Sequence, residues 1–221
     1  MLILGIDDAG RGPVLGPMVL AGCLIDSGIE KELKSLGVKD SKQLTAEKRE
    51  DIVEHIKKLA LKFHISITTP IEIDEKTDKG INLNKLEAIK SAEIINALNA
   101  GEEKIKVIID CPSPNTLAWR SLVLSYISHK ENLEVFCEHK ADINHVACSA
   151  ASIIAKTTRD AEIEKLKAQL GIDFGSGYAS DSITIDFLNK NFHKFNNSGL
   201  FRKSWHTWRN AKAKIEQAKL V

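Results

Sequence analysis

Three aspartates stand where apolar runs of the sequence stop, and a fourth stands just before a run of small residues. Asp7 and Asp8 close LILGI, Asp110 closes KIKVIID, and Asp142 lies in EHKADINH ahead of a long run of small residues. Any one of them alone reads as a turn former or helix cap. Several carboxylates at strand ends, with no His or Cys cluster beside them, form an oxygen-only donor set. A hard cation such as Mg²⁺ or Mn²⁺ takes up such a set, partly through water. These ions stabilise phosphoryl transfer, and a pair roughly 3.5–4 Å apart clamps the attacking and leaving oxygens. Asp142 keeps two readings, ligand or side-chain cap of the helix that follows. Asp7 and Asp8 pose a geometric condition. Neighbours on a regular strand point to opposite faces, so both serve one site only if the strand ends or bulges there, which Ala9-Gly10 permits.

The elements that must position these residues read as mixed α/β. LILGI and PMVLAGCLI are short strands, and the Gly/Pro segment between them makes a hairpin-like turn, so the sheet begins antiparallel. AEKREDIVEHIKKLA places Ile52, Val53, Ile56, Leu59 and Ala60 at helical spacing, with Thr45 as N-cap. LKFHISIT alternates Leu61, Phe63, Ile65 and Ile67 as a half-buried strand. LNKLEAIKSAEIINAL and TLAWRSLVLSYI are helices, KIKVIID is a central strand, and LEVFCE is a last short one. The segment from Asn144 to Gly171 is a long helix, buried all round in its first half and ended by Gly171. The chain then continues as helical segments. A boundary near residue 171 divides an α/β unit, 1–171, from a helical extension, 172–221.

Gly10, Gly12 and Gly16 invite a dinucleotide-binding reading, which fails. Their G-x-G-x-x-x-G spacing is one residue too long, and Pro13, Pro17 and the following strand exclude the helix that would receive a pyrophosphate. No Walker loop is present either. At 221 residues and 43% hydrophobic, the chain is long enough for a sizeable core. No apolar run approaches a membrane span, and the start MLILGIDD lacks the basic region and cleavage site of a secretory signal, so a cytosolic protein is expected. Cys23, Cys111, Cys137 and Cys148 have no CxxC spacing and read as reduced, mostly buried thiols. The net charge of +1 is polarised: from Arg202 onward the tail carries +5 and the remainder −4.

Several motifs, in order, resemble ribonuclease HII, most closely its archaeal form. GIDDAGRGPVLGPMVLAG resembles the acidic-GRG opening and KDSKQL the next motif. VIIDCP is similar to the strand bearing the third acid, HKADINHVACSAASIIAKTTRD to the fourth acid and its helix, GSGYASD to the tyrosine motif, and FRKSWHTW to the C-terminal signature. The resemblance implies a ribonuclease H-like fold, a mixed sheet flanked by helices. It also implies hydrolysis of RNA paired with DNA, and incision 5′ of single ribonucleotides in duplex DNA, leaving 5′-phosphate and 3′-hydroxyl ends.

By that resemblance Asp7, Asp8, Asp110 and Asp142 hold two divalent ions, Mg²⁺ or Mn²⁺, without a general-base histidine; His139 and His145 are structural or peripheral. Gly10, Arg11 and Gly12 read the 2′-hydroxyl at its junction with DNA, and Tyr178 stacks on the sugar or bonds that hydroxyl. Lys42 and Lys156 contact phosphates, Lys156 having internal pairing on its helix as the other reading. Arg202, Lys203, Arg209 and Lys212 lie along the DNA backbone and give salt-dependent affinity, while Trp205 and Trp208 pack. A monomer is expected, and no C-terminal aromatic motif for a sliding clamp is found. Two positions depart from the pattern: the usual Asp-Glu pair is Asp7-Asp8, and the usual tyrosine three residues after the fourth acid is His145.

Overall fold

The computed structural model describes residues 1–38 and 45–217. Strands β1 (Leu2–Ala9) and β2 (Met18–Asp26) pair antiparallel, with Leu2 opposite Asp26 and Ala9 opposite Val19. Asp26 accepts from Gly28 N at 2.8 Å and caps a short 3₁₀ turn leading into α1 (Glu30–Ser35). Helix α2 (Ala46–Leu59) starts where expected, the Thr45 hydroxyl accepting from Lys48 N. After β3 (Lys62–Thr68) come α3 (Pro70–Asp78), capped by Thr69 with Pro at its first turn, and α4 (Leu83–Leu98). Strand β4 (Ile105–Asp110), α5 (Thr116–Ser125), β5 (Leu133–Glu138), the single turn α6 (Ala141–Asn144) and the long α7 (Val146–Leu170) follow. Helices α8 (Ser182–Phe195) and α9 (His206–Gln217) complete the described chain.

The strand order is β3-β2-β1-β4-β5, with β4 parallel to both β1 and β5. Two glycines set how closely helices approach this mixed sheet. A Cβ on Gly5 would fall 2.1 Å from the Ala147 carbonyl carbon, so the α7 backbone lies directly on β1. That is why the first half of α7 consists of small buried residues, Ala147, Cys148, Ala150 and Ala151 among them. A Cβ on Gly22 would fall 2.3 Å from Ile94 of α4, which covers the sheet by another of its faces. Together these contacts seat β1 and β2 between helices, and Asp7 and Asp8 lie near the end of β1 as Asp110 ends β4.

The alternation in β3 does not produce a half-buried face. Leu61, Phe63 and Ile67 are exposed, and of the four alternating residues only Ile65 packs against the core. β3 lies at the sheet edge, where the same period-2 pattern does not guarantee a covering layer. The short helices α1, α3 and α6 were also not anticipated.

Two compact units can be distinguished, and each draws on separate stretches of chain. The first takes in residues 1–9, 19–66 and 83–158; the second takes in 10–18, 67–82 and 159–221. The first holds the sheet core. The second has its own core of Phe174, Phe187, Phe192, Phe195, Phe201 and Trp208 around Val14 and Leu15. Trp205 packs at its margin.

Candidate active site

In the first unit, Asp7, Asp8 and Asp110 line one narrow cleft, together with Glu87, Ser91 and Trp119. Of the two alternatives, a bulge or an end, β1 takes the second: it ends at Ala9. Pairing with β2 stays regular through Asp7–Ala21 and Asp8–Leu20. What ends early is the ladder on the other side: β1 registers with β4 from Leu2 to Ile6, opposite Ile109. The two aspartates therefore reach one cleft beyond the parallel ladder without a bulge.

Asp7 is buried, and its carboxylate accepts from Asp8 N at 2.8 Å and from the Ser152 hydroxyl. Burial, then Asp8, with a smaller contribution from Asp110, push its pKa up to about 8. The charged form is thus disfavoured until a cation offsets it. Asp110 accepts from Ala141 N at 2.7 Å, which ties the end of β4 to the start of α6. Asp142 follows Ala141, is buried in that turn, and its carbonyl accepts from the Ser149 hydroxyl of α7. Lys140, just before the turn, has φ +60°, the left-handed conformation that non-glycine residues rarely take, and so re-aims the chain into α6. Among the described residues, no three His, Cys, Asp or Glu side chains already stand as a set of metal ligands. Asp7 and Asp110 are turned to protein donors instead. The donor chemistry, oxygen-only with one carboxylate that ionises only with help, suits a hard divalent ion.

In the second unit, the loop from Gly10 to Pro17 is held from within. Gly10 has φ +80°, and a Cβ there would fall 2.2 Å from Arg159 Nε, so only glycine fits. Arg159 is buried, donates to Ser176 O at 3.1 Å, and stands 5.2 Å from the centre of the Tyr178 ring. Gly12 is exposed, with the Tyr178 ring 3.7 Å from where its Cβ would be. Gly177 O accepts from Val14 N and Leu15 N. The tyrosine loop is itself set by Asp181, which accepts from Ser176 N and Oγ, and by Thr184, which accepts from Gly177 N. Gly10, Arg11, Gly12 and Tyr178 are therefore neighbours.

Other expected residues fall differently. Lys156 is turned inward and donates to Ser152 Oγ at 2.7 Å, so a Lys156–Ser152–Asp7 chain of hydrogen bonds runs through α7 to β1. Arg202, expected along a DNA backbone, is fully buried and donates to Gly16 O, Arg11 O and Gly10 O. Three inward-turned carbonyls need a planar donor fork, and burial removes this charge from the surface stripe. Lys203 is half-buried, and Arg209 and Lys212 are exposed. His139 meets Cys111 O and His145 meets Glu138 Oε2. Lys42 lies outside the described residues. Sequence reasoning missed Glu87, Ser152 and Arg159. The only hint of Glu87 was a carboxylate with Ser91 four residues on, on a helix whose other polar residues give it no distinction.

With this geometry established, similarity to known proteins becomes decisive. The sequence profile of the family described as Ribonuclease HII matches residues 4–208. The chain belongs to the ribonuclease HII family. A ribonuclease HII of Methanococcus maripaludis strain C6 is 42% identical over 222 residues, covering 99% of this chain and 90% of that protein. The ribonuclease H2 of Pyrococcus horikoshii OT3 superposes with a TM-score of 0.88 at 37% identity, covering 98% of this chain and 99% of that one. The ribonuclease HII of Archaeoglobus fulgidus, solved in complex with PCNA, gives 0.82 at 35% identity, covering 93% and 95%. Membership fixes the fold as ribonuclease H-like and the activity as hydrolysis of RNA paired with DNA by an endoribonuclease.

Proposed function

We propose that the protein incises duplex DNA on the 5′ side of single embedded ribonucleotides, as well as cutting longer RNA–DNA hybrids, and leaves 5′-phosphate and 3′-hydroxyl ends. The observation that carries this reading is the adjacency of Gly12 and Tyr178, an open backbone position beside an aromatic ring that is itself 38% exposed. A sugar bearing a 2′-hydroxyl can approach peptide groups there that a side chain would cover.

Asp7, Asp8, Asp110 and Asp142 are the residues that would hold two divalent cations, Mg²⁺ or Mn²⁺. Such ions, when bound, lower the pKa of a water and stabilise charge on the leaving oxygen. Three of these carboxylates then have a stated task. Asp7, fixed by Asp8 N and Ser152, presents one oxygen in a set direction. Asp110, held by Ala141 N, keeps α6 and hence Asp142 in register with β4. Lys156 donates to the Ser152 hydroxyl, and the hydrogen bond from that hydroxyl to Asp7 favours its ionised form. Lys203 and Arg209, with Lys42 and Lys212, supply phosphate contacts without base preference. In this reading the segment 172–221 serves nucleic-acid binding.

The test is a DNA duplex with one ribonucleotide, incubated with and without Mg²⁺. Metal-dependent cutting at the 5′ side is expected. Cutting of an all-DNA duplex at a similar rate would refute the reading. A sliding clamp as partner finds support in the Archaeoglobus fulgidus relative solved with PCNA, and co-elution with a clamp in gel filtration tests it.

A further inference from the structure

The motif FRKSW lies in the second unit, in the strongly basic tail, and the obvious role for its charge is to meet phosphate. Its geometry is different. Arg202 is fully buried, and its fork reaches three backbone oxygens of one loop: Gly10 O at 2.6 Å, Arg11 O at 2.9 Å and Gly16 O at 3.0 Å. Trp205 Nε1 takes a fourth, Gly12 O, at 3.0 Å. The two side chains are coupled, the guanidinium carbon lying 4.9 Å from the indole centre. The backbone joins in as well, Arg202 N donating to Val14 O at 2.9 Å.

A planar trans peptide fixes its N–H opposite its C=O. Holding Gly10 O and Arg11 O on the guanidinium therefore directs the N–H groups of Arg11 and Gly12, the next residue in each peptide, away from it. Two consecutive amides are aimed by a side chain that never meets the substrate. Gly12 O is held separately, and Pro13 has no N–H to aim. A buried cation costs free energy unless its donors are matched, and a row of inward carbonyls is such a match. An apolar residue of similar volume would leave the same carbonyls unsatisfied.

We propose that Arg202 and Trp205 form a carbonyl clamp that sets the amides of the GRG loop, so that both are positioning residues for recognition of the ribonucleotide. The inference rests on the reading of that loop as the element that senses the 2′-hydroxyl. It assigns Arg202 and Trp205 of the C-terminal motif to ribose discrimination and removes Arg202 from phosphate binding.

Trp205→Phe is the mild test, since it keeps the ring and deletes one donor. On a duplex with one ribonucleotide, kcat/KM should fall by about tenfold, as loss of one hydrogen bond implies, with most of the loss in kcat. Melting temperature and affinity for an all-DNA duplex should match the parent. Amide hydrogen exchange in the peptide spanning residues 10–17 should quicken. Arg202→Lys, which keeps the charge and loses the fork, should lower kcat/KM by about a hundredfold or more; if it fails to fold, Trp205→Phe decides. Parent-like kinetics and loop exchange in Trp205→Phe would overturn the clamp. So would an equal loss on every substrate together with a lower melting temperature, which marks packing alone. Should the parent not cut the ribonucleotide duplex at all, the functional reading fails separately, and loop exchange alone then judges the clamp.

Discussion

Replacing Asp7 by asparagine tests the electrostatics of the carboxylate cleft through folding stability, a readout that needs no activity assay. In the metal-free protein, burial and the neighbouring Asp8 raise the Asp7 pKa from 3.8 to about 8. Between those values the folded protein keeps a proton that the unfolded chain has released, so folding stability falls as pH rises and levels off above about 8. At roughly 1.4 kcal/mol per unit the full penalty would be about 6 kcal/mol. Relaxation and water entry reduce it, and about 2 kcal/mol is a working figure. For a chain of this length that corresponds to about 4–8 °C in melting temperature. Asp7→Asn keeps the shape and the acceptor for Asp8 N, but carries no charge. It should melt several degrees above the parent at pH 8.5 in chelator and match it near pH 4. Added Mg²⁺ should stabilise the parent, increasingly as pH rises toward 8, because binding must displace the proton; the variant should gain far less. The assay is thermal melting from pH 4 to 9, with EDTA and with Mg²⁺. Parallel pH profiles of parent and variant in EDTA would refute the reasoning.

The two glycines of the GRG loop should separate by stability. Gly10→Ala meets both a positive φ and Arg159, and should cost about 2 kcal/mol or more, read as a lower melting temperature. Gly12→Ala makes only ordinary contact with Tyr178, so it should melt like the parent and lose ribonucleotide cleavage alone. Asp8→Asn should abolish most cleavage, whereas Asp8→Glu, with a longer reach into the cleft, should retain or raise the rate at low Mg²⁺, as initial rates against metal concentration will show. Neutralising Lys203 and Arg209 to Gln should flatten the salt dependence of duplex binding by about one unit of slope per residue, measured by fluorescence anisotropy.

The parts of this molecule that could be read in the sequence share one property: their signal is local. Asp7 and Asp110 follow apolar runs, so strand and acid are visible together. The small residues of α7 announce a close helix, although the reason, contact with the backbone of β1 at Gly5, lies far away in the chain. Thr45 as a cap is likewise a matter of neighbouring residues. The β3 face failed because alternation records a strand but not the presence of a covering layer. Arg202 failed for a stronger reason. Its partners are carbonyls some 190 positions earlier in the chain, at Gly10 and Arg11, and carbonyls have no signature in a sequence. Glu87 was hidden in the same way, since one carboxylate in a helix reads as solvated until the fold places it beside Asp7 and Asp8.

Charge in this chain accordingly does two jobs that a formal count merges. Arg159 and Arg202 are buried and donate to backbone oxygens, and the partly buried Arg120 donates to Val135 O at 2.6 Å. A rigid planar fork with several donors satisfies fixed carbonyls at low entropic cost, which a flexible lysine does not. Lysines dominate the remaining basic residues of the tail, where a point charge on a long stem can follow an irregular phosphate backbone. The +5 of the tail therefore overstates the charge available to a nucleic acid. Arg202 contributes none of it at the surface, and Lys212 is partly offset by Glu216 at 3.8 Å. Arginine and lysine are thus not interchangeable here, and the asymmetry has a direction. A lysine at 202 loses the fork that shapes the loop, whereas an arginine at 203 would keep both the charge and its reach.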